Sequence, residues 1–411
     1  MIHSAKSVAL LTGNHLCHNP RVIKEASTLA AAGYEVKVFG AWFDTELKSK
    51  DETLLARNSV NFEPVIDHTI DKTARLFGRT KLKLGRIAHN PFSFENYWQL
   101  GPSVVALKAF AAKSGADLFI AHSEAGVAVA DDLLKNGKSV GVDMEDWFSE
   151  DLLPEARKSR PLKLLRALER KILSEGSYKT CTSQAMAEAL ALEYGCDPPG
   201  IIYNAFSWSD RTSIDGLVKD RRDFHLPSIH WYSQTLGAGR GLEDLLAALS
   251  HLTHKAEVHL RGRPAIGFAD WIREHTPEDW RNVVFVHDLV SDNELLSRVA
   301  EHDIGFAGEQ KYCRSRDLTV TNKILHYLLA GLATVASDTT GQQEVAQQAN
   351  GAVDLYRAGD AHDLAHKLNR LLSSRSELAM TKEAALAAAK ETFCWEKQAP
   401  TLLSAINAAL S

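Results

Sequence analysis

The sequence has little of what marks disulfide-bonded, zinc-binding or membrane-spanning proteins. Its 411 residues include only 5 cysteines, scattered and without a Cys-x-x-Cys pair, which argues against a disulfide framework or a structural zinc site and is typical of a reducing compartment. No uninterrupted apolar stretch approaches the roughly 20 residues needed to span a bilayer. The short apolar run at 8–11 closes in a threonine and a glycine, so it indicates a strand and not a signal peptide. We therefore expect a cytoplasmic protein.

An excess of charge of one sign is also missing. The chain has 47 Lys and Arg against 52 Asp and Glu, a formal net charge of -5, which argues against a general nucleic-acid binder. Its 45% hydrophobic and 24% charged residues are the composition of a globular protein of two or three domains. No repeat of solenoid length and no low-complexity tract is present.

One segment departs from this balance of charges. Residues 72–94 contain no acid, and leucine, isoleucine and phenylalanine separate their six cations, Lys72, Arg75, Arg79, Lys81, Lys83 and Arg86. Each cation near an anionic membrane surface contributes about 1 kcal/mol to binding. We interpret the segment as a contact with such a surface or with an anionic, lipid-linked acceptor. The alternative is a solvated loop on a protein that never meets a membrane.

The first forty residues alternate strand, helix and strand. Asn19 is a good N-cap, Pro20 fits the first helical position and Gly33 follows the last one, which predicts a βαβ unit with parallel strands. Gly13, just after the first strand, lets a ligand or a neighbouring backbone approach closely, although the full GxGxxG fingerprint is missing. His15, Cys17 and His18 lie close together in the sequence, but their spacing matches no standard metal site, so we expect no metal there.

Polar residues follow three further strands in the first half of the chain. His122 comes after a strand at 117–121, the cluster 143–146 after a strand at 139–142, and Asn204 after a strand at 201–203. The carboxyl ends of parallel strands meet at one edge of a sheet, so these residues are expected to lie near one another. Periodicity alone favours a structural over a catalytic role for His122.

A second α/β series follows a polar segment at 208–227, which we interpret as a linker. Within it, the stretch 303–344 predicts a strand at 304–306, a long polar loop, a helix at 322–330 and a strand at 333–337. Helices that begin at carboxyl ends of strands attract anions. Lys323, in a first helical turn, therefore indicates a negative ligand, with a merely solvated lysine as the alternative.

Several segments, in this order and spacing, resemble the family 4 retaining glycosyltransferases, which have the GT-B fold. They are NPRVIKEASTLAAAGYEVKVF, ADLFIAH, VDMEDWF, ERKIL, IIYNAF, GAGRGLEDLLAAL and NKILHYLLAGLATVASDTTGQQEV. The resemblance implies an α/β protein of two Rossmann-like domains facing across a cleft. Residues 1–207 would form the acceptor-side domain, 228–390 the donor-binding domain, and a helix at about 395–411 would pack back on the first domain.

The resemblance also implies roles for single residues. Gly13 would lie under the donor diphosphate, and His122 would point into the cleft beside the transferred sugar. Asn322 and Lys323 would open the helix that cradles the diphosphate, where cations and dipoles stabilise the departing charge. Further donor-binding positions are Arg240, Gly262 and His326. No metal and no cofactor is implied, since the family generally uses protein groups for this task.

The sequence departs from the family pattern at a cation. The family usually has a second basic residue five positions before Arg240, and Thr235 occupies that place. A loop further along the chain carries three cations that could replace it: Lys311, Arg314 and Arg316.

A second departure concerns two glutamates separated by seven residues. Without gaps these positions fall on Leu318 and His326, and His326 could hold the nucleotide ribose only through one acceptor nitrogen. The loop at 307–320 looks longer than usual, so Glu309 or Asp317 is the candidate for the missing carboxylate. We favour Glu309 because it directly follows a strand and its glycine.

These features lead to one functional hypothesis. The protein is expected to be a retaining glycosyltransferase that moves a sugar from a nucleotide-diphosphate sugar to a glycan or lipid-linked acceptor. The expected context is synthesis of cell-surface polysaccharide or lipopolysaccharide at the inner membrane face. The alternative is a catalytically degenerate GT-B protein that binds a nucleotide or a partner without turnover. An epimerase of nucleotide sugars with a similar fold is less favoured, because the resemblance extends over both domains.

Overall fold

The computed structural model describes residues 5–70 and 95–411, so the basic segment with its six cations lies outside the described residues. The chain divides into two compact units. The first comprises Met1–Thr182, Met186–Ile202 and Ala399–Ser411, and the second comprises Ser183–Ala185 and Tyr203–Gln398. In the described part of the chain, no helix combines the length and the apolar character needed to cross a bilayer.

The first unit is built on a seven-stranded parallel sheet. Its strands are β1 (Ser7–Leu11), β2 (Glu35–Trp42), β3 (Phe62–Asp67), β4 (Leu118–Ala121), β5 (Val140–Met144), β6 (Tyr178–Cys181) and β7 (Gly200–Ile201). The spatial order is β3-β2-β1-β4-β5-β6-β7, with β1 paired to both β2 and β4. The order reverses between β1 and β4, and in such sheets ligands bind outside the carboxyl ends of the strands at this reversal.

Helices connect these strands. They are α1 (Pro20–Ala31), α2 (Thr45–Arg57), α3 (Val104–Ser114), α4 (Glu124–Lys135), α5 (Pro154–Arg157), α6 (Leu162–Glu175) and α7 (Gln184–Tyr194). As expected, α1 begins where the Asn19 side chain accepts a hydrogen bond from Val22 N at 3.1 Å, with Pro20 in the first position. Its inner face buries Val22, Ala26 and Leu29.

The second unit has a six-stranded parallel sheet in the order β10-β9-β8-β11-β12-β13. These strands are β8 (Ser228–Leu236), β9 (Glu257–Pro264), β10 (Val284–His287), β11 (Ile304–Ala307), β12 (Ala333–Ser337) and β13 (Val353–Tyr356). The helices are α8 (Leu242–Leu249), α9 (Phe268–His275), α10 (Asp292–Ala300), α11 (Arg314–Leu318), α12 (Asn322–Ala330), α13 (Thr340–Gln348), α14 (Ala361–Ser373) and α15 (Arg375–Glu391). A last helix, α16 (Trp395–Leu410), starts in the second unit, and its residues from Ala399 onward belong to the first. Two parallel α/β sheets with flanking helices confirm the predicted fold class.

Both cores lie between the sheet and its helices. The four residues of β4 are at most 1% exposed, as expected for a strand covered by helices on both faces. In the second unit, α12 buries Ile324, Leu325 and Leu328 completely. This helix ends at Gly331, whose φ of 82° is the left-handed conformation that glycine adopts without strain.

Some predicted boundaries differ from the structure. The strand predicted at 139–142 extends to Met144, so Asp143 lies inside the strand. The loop predicted between β11 and α12 contains the short helix α11, because its residues can form one hydrogen-bonded turn. Thr321 occupies the N-cap position of α12, but its side chain makes no capping hydrogen bond.

Candidate functional site

A pocket of about 280 Å³ lies at the carboxyl edge of the first sheet. Segments that follow β1, β4 and β5 form its wall, and they contribute Thr12, Asn14, His15, His122, Ser123, Glu124, Ala125, Glu145 and Asp146. His18, Asn19, Leu100 and Phe148 complete the lining. The pocket therefore occupies the position where the strand order reverses.

His122 is among the residues that line this pocket, and its role beside the transferred sugar stays a prediction. The side chain is 0% exposed because charged groups from two elements enclose it. Its Nε2 lies 3.2 Å from Glu25 Oε2 on α1, and its Nδ1 lies 3.4 Å from Glu145 Oε1 after β5. Asp143 Oδ2 is 3.7 Å from the same Nδ1. Carboxylates therefore face both nitrogens of the ring.

A buried network of charges surrounds the ring. Arg21 Nε lies 3.1 Å from Glu25 Oε1 and also contacts Asp143 Oδ2. Burial alone would lower the pKa of His122, but Glu25, Glu145 and Asp143 outweigh it and raise this pKa to about 10. Burial opposes ionisation of Glu25, yet His122 and Arg21 lower its pKa to about 2.

Asp143 differs from the other carboxylates of the network. Burial raises the pKa of Asp143 well above its usual range; Arg21 and His122 oppose this effect, and Glu25 adds to it. With Asp143 protonated, the cations Arg21 and His122 balance the anions Glu25 and Glu145. A charge-balanced network can remain buried, whereas an unpaired charge could not.

His15, beside the same pocket, is held by structural contacts. Its Nδ1 lies 3.0 Å from Asp51, and its Nε2 accepts hydrogen bonds from Phe43 N at 2.8 Å and Asp44 N at 3.1 Å. Burial raises the pKa of Cys17 to about 12, which disfavours the thiolate that a metal requires. Both ring nitrogens of His15 thus support the loop after β1, and the expected absence of metal stays a prediction.

Gly13 has a structural reason to be glycine. Its φ is +62°, and an added Cβ would lie 2.7 Å from Ser103 Oγ. That hydroxyl donates a 2.8 Å hydrogen bond to the Gly13 carbonyl. The close approach expected here is therefore made by a neighbouring side chain, and the donor contact stays a prediction.

In the second unit, cations gather around Glu309. Lys323 Nζ lies 2.8 Å from Glu309 Oε1 and 5.1 Å from the centre of the Trp231 ring. Burial opposes ionisation of Glu309, but Lys323, then Arg316 and Arg240, lower its pKa. Arg240, Arg316 and Lys323 therefore act on one carboxylate, next to the first turn of α12.

A glycine contact brings two of these segments together. Gly241 has φ +81°, and an added Cβ would collide with the carbonyl of Gly308. Only glycine lets the start of α8, with Arg240 beside it, lie directly against the residue before Glu309.

The two candidate carboxylates, Glu309 and Asp317, differ in their contacts. Asp317 accepts hydrogen bonds from Thr340 N at 3.1 Å and Thr340 Oγ1 at 2.9 Å, at the start of α13. Lys311, in turn, pairs with Asp338 at 2.9 Å. Asp317 is thus used to hold a helix end, while Glu309 lies among cations that a diphosphate would attract. The role of Glu309 as the missing carboxylate stays a prediction.

His326 and Gly262 pack within the unit. His326 stacks on Phe206 with ring centres 4.5 Å apart, and its Nδ1 lies 2.9 Å from Tyr232 Oη. Burial lowers the pKa of His326 to about 4, so the ring is neutral. An added Cβ on Gly262 would meet the carbonyl of Ser233 on the neighbouring strand. The contacts of both residues with a nucleotide stay predictions.

Sequence reasoning missed Arg21 and Glu25, whereas Glu145 belongs to the polar cluster predicted at 143–146. A signal was present for the first two, since they are charged residues spaced i, i+4 on the face of α1 that also carries Val22 and Ala26. A charge on an apolar face needs a buried partner. The partner itself could not be read from the sequence, because Glu25 and His122 are almost one hundred residues apart.

Solved structures of several proteins share this arrangement, which is the two-domain α/β architecture of the GT-B class. HepE from Anabaena in complex with UDP and glucose is 17% identical, with a TM-score of 0.68 over 98% of this chain and 99% of that one. A glycosyltransferase from Rickettsia africae is 13% identical, with a TM-score of 0.67 over 100% of both chains.

The same architecture occurs in a protein named for another reaction. A putative UDP-N-acetylglucosamine 2-epimerase from Listeria monocytogenes is 14% identical, with a TM-score of 0.58 over 98% of this chain and 96% of that chain. No family model and no curated protein matches the sequence. Likeness at such identities establishes the fold, and the resemblance to family 4 stays a prediction.

Proposed function

We propose that the protein is a retaining glycosyltransferase that takes a sugar from a nucleotide-diphosphate donor. The observation that carries the proposal is the group of three cations, Arg240, Arg316 and Lys323, around Glu309 where α12 begins. Cations beside a helix N-terminus form a site for a diphosphate. HepE, a protein of the same fold, is named in complex with UDP and glucose, which supports a nucleotide and a sugar as the ligands.

In the proposed reaction the donor diphosphate replaces Glu309 as the ionic partner of Lys323. The C–O bond between the sugar and the diphosphate breaks, and the leaving group gains negative charge that Lys323, Arg240 and the dipole of α12 stabilise. Glu309, ionised and freed from the lysine, then accepts hydrogen bonds from sugar hydroxyls. It thereby fills the role of the carboxylate that Leu318 cannot supply.

Retention of configuration would follow from departure and attack on the same face of the sugar. The acceptor oxygen bonds to the anomeric carbon, and its proton passes to an oxygen of the leaving phosphate. This route needs no dedicated protein base. It agrees with the low pKa of Glu309, since a strongly ionised carboxylate is a weak base.

The acceptor is proposed to be a glycan or a lipid-linked sugar of cell-surface polysaccharide or lipopolysaccharide synthesis. The support comes from the sequence of the segment 72–94, whose cations would draw the enzyme to an anionic membrane. Co-sedimentation with liposomes of rising anionic lipid content tests this point. Binding that ignores the anionic lipid content would contradict it.

Incubation of the purified protein with UDP-, GDP-, ADP-, dTDP- and CMP-sugars tests the main proposal. Thermal stabilisation by one donor, with slow release of its nucleotide, is the expected result. A product that retains its nucleotide would indicate an epimerase. Failure of every donor to bind would contradict the proposal.

A degenerate, nucleotide-binding protein is the second candidate function. Leu318 and the neutral, packed His326 stand where the family has two glutamates, and this observation favours a site that binds without turnover. Binding of a donor without nucleotide release, even with an extract of lipid-linked acceptors, would support this candidate over the transferase.

A further inference from the structure

One member of the buried charge network differs from the rest in its exposure. The side chains of Arg21, Glu25, His122 and Asp143 are 0% exposed, whereas that of Glu145 is 16% exposed. Glu145 also lines the pocket of the first unit. We propose that Glu145 is the sugar-contacting carboxylate of this pocket and that His122, held by Glu25, is a positioning residue behind it. This inference rests on the proposed function.

Contacts on both sides fix Glu145 at the carboxyl end of β5. Its backbone carbonyl accepts a 3.3 Å hydrogen bond from Thr182 Oγ1. Its Oε1 accepts a 3.4 Å hydrogen bond from His122 Nδ1. A carboxylate has acceptor sites on two oxygens, so the contact with His122 orients the group and leaves acceptor capacity for a ligand.

The carboxylates around His122 favour a protonated ring. Glu25 on α1 faces Nε2, and Glu145 and Asp143 from β5 face Nδ1. The remaining charged group in contact with them is Arg21, while Thr180 donates a 3.0 Å hydrogen bond to Asp143. A neutral imidazole presents a proton on one side only, whereas the imidazolium presents a proton and a positive charge to the carboxylates on both sides. The ring therefore has no lone pair with which to act as a base.

The pocket's own charge indicates the class of sugar. Besides Glu145, its wall carries Glu124 and Asp146, and Glu124 pairs with Arg160. Carboxylates accept hydrogen bonds from hydroxyl groups and repel carboxylates and phosphates. The ligand is thus a hydroxyl-rich sugar.

Nuclear magnetic resonance of the histidine side chains tests the positioning role without any activity. At about pH 8, an ordinary histidine with a pKa near 6.5 is neutral, but His122 should show protons on both nitrogens. Glu25→Gln should make His122 titrate near or below neutral pH, and Glu25→Asp should restore part of the effect. A neutral His122 ring in the wild-type protein would overturn the inference.

Steady-state kinetics with the donor found in the panel tests the sugar contact. Glu145→Gln should lower kcat/KM by about 10- to 100-fold, as for loss of a charge-assisted hydrogen bond, while the affinity for the free nucleotide stays unchanged. Glu175→Gln, at the exposed end of α6, is the matched control and should leave kcat/KM unchanged. Full activity of Glu145→Gln would overturn the inference, whereas a wild-type protein without turnover would overturn the proposed function.

Discussion

Acid is expected to destabilise the second unit, because a group of histidines is buried there without charge. The rings of His230 and His259, on β8 and β9, pack against His302 with centroid distances of 4.5 and 4.6 Å. His259 Nδ1 lies 2.9 Å from His287 Nε2, so one of these two nitrogens must be unprotonated to accept the hydrogen bond. Burial lowers the pKa of all four rings.

The size of the effect follows from the difference in proton binding. An unfolded chain binds a proton on histidine near pH 6.5, whereas the folded pKa is about 2 for His259 and about 4 for His326. The contribution of these neutral histidines to the free energy of unfolding is therefore fully present above pH 6.5 and is lost as the pH falls below that value. At about pH 5 each of the two residues costs about 2 kcal/mol. Their sum of about 4 kcal/mol is a large part of the stability of an ordinary domain.

Urea unfolding at about pH 7 and about pH 5, with hydrogen exchange of residues 228–236 and 257–264, measures the free energy of unfolding of the second unit. His259→Gln removes one titration and should reduce the loss between the two pH values by about 2 kcal/mol. His225→Gln, at an exposed position, should lose as much stability as the wild type. An equal loss in the wild type and His259→Gln would refute the reasoning.

Three further predictions follow from single contacts. Lys323→Ala leaves Glu309 buried without its lysine partner and should lower the free energy of unfolding in urea by about 3 kcal/mol. It should also weaken nucleotide binding, measured by calorimetry, at least about tenfold. Unchanged nucleotide affinity would contradict the assigned site. Gly241→Ala should cost at least about 2 kcal/mol, because it adds a collision to an unfavourable φ, and Gly239→Ala, with the same sign of φ and open space, should cost less. The pKa of His122 is raised to about 10, so the first unit should lose up to about 1.4 kcal/mol per pH unit as the pH rises from about 6.5 to 10, and His122→Asn should abolish most of that dependence.

The second sheet shows how far local patterns carry. The helix and strand predicted at 322–330 and 333–337 are confirmed as α12 and β12, because a sustained apolar period, a capping position and a closing glycine all act within a few residues. The loop predicted at 307–320 was wrong where it contains α11, since one short turn has no period of its own. The site roles of Lys323 and Glu309 stay predictions, although their side chains do meet.

The first unit shows what local patterns could not supply. The sequence by itself determined the α/β class and the strands whose carboxyl ends carry polar residues. It also determined the secondary structure around His122 and Lys323, because strands and helices depend on residues that are neighbours in the chain. Only the tertiary structure decided that Glu25, His122 and Glu145 form one buried network, that Asp317 holds a helix end, and that Glu309 meets Lys323. Coulomb interactions and burial depend on distances of a few ångströms between residues that lie far apart in the sequence, and folding alone sets those distances.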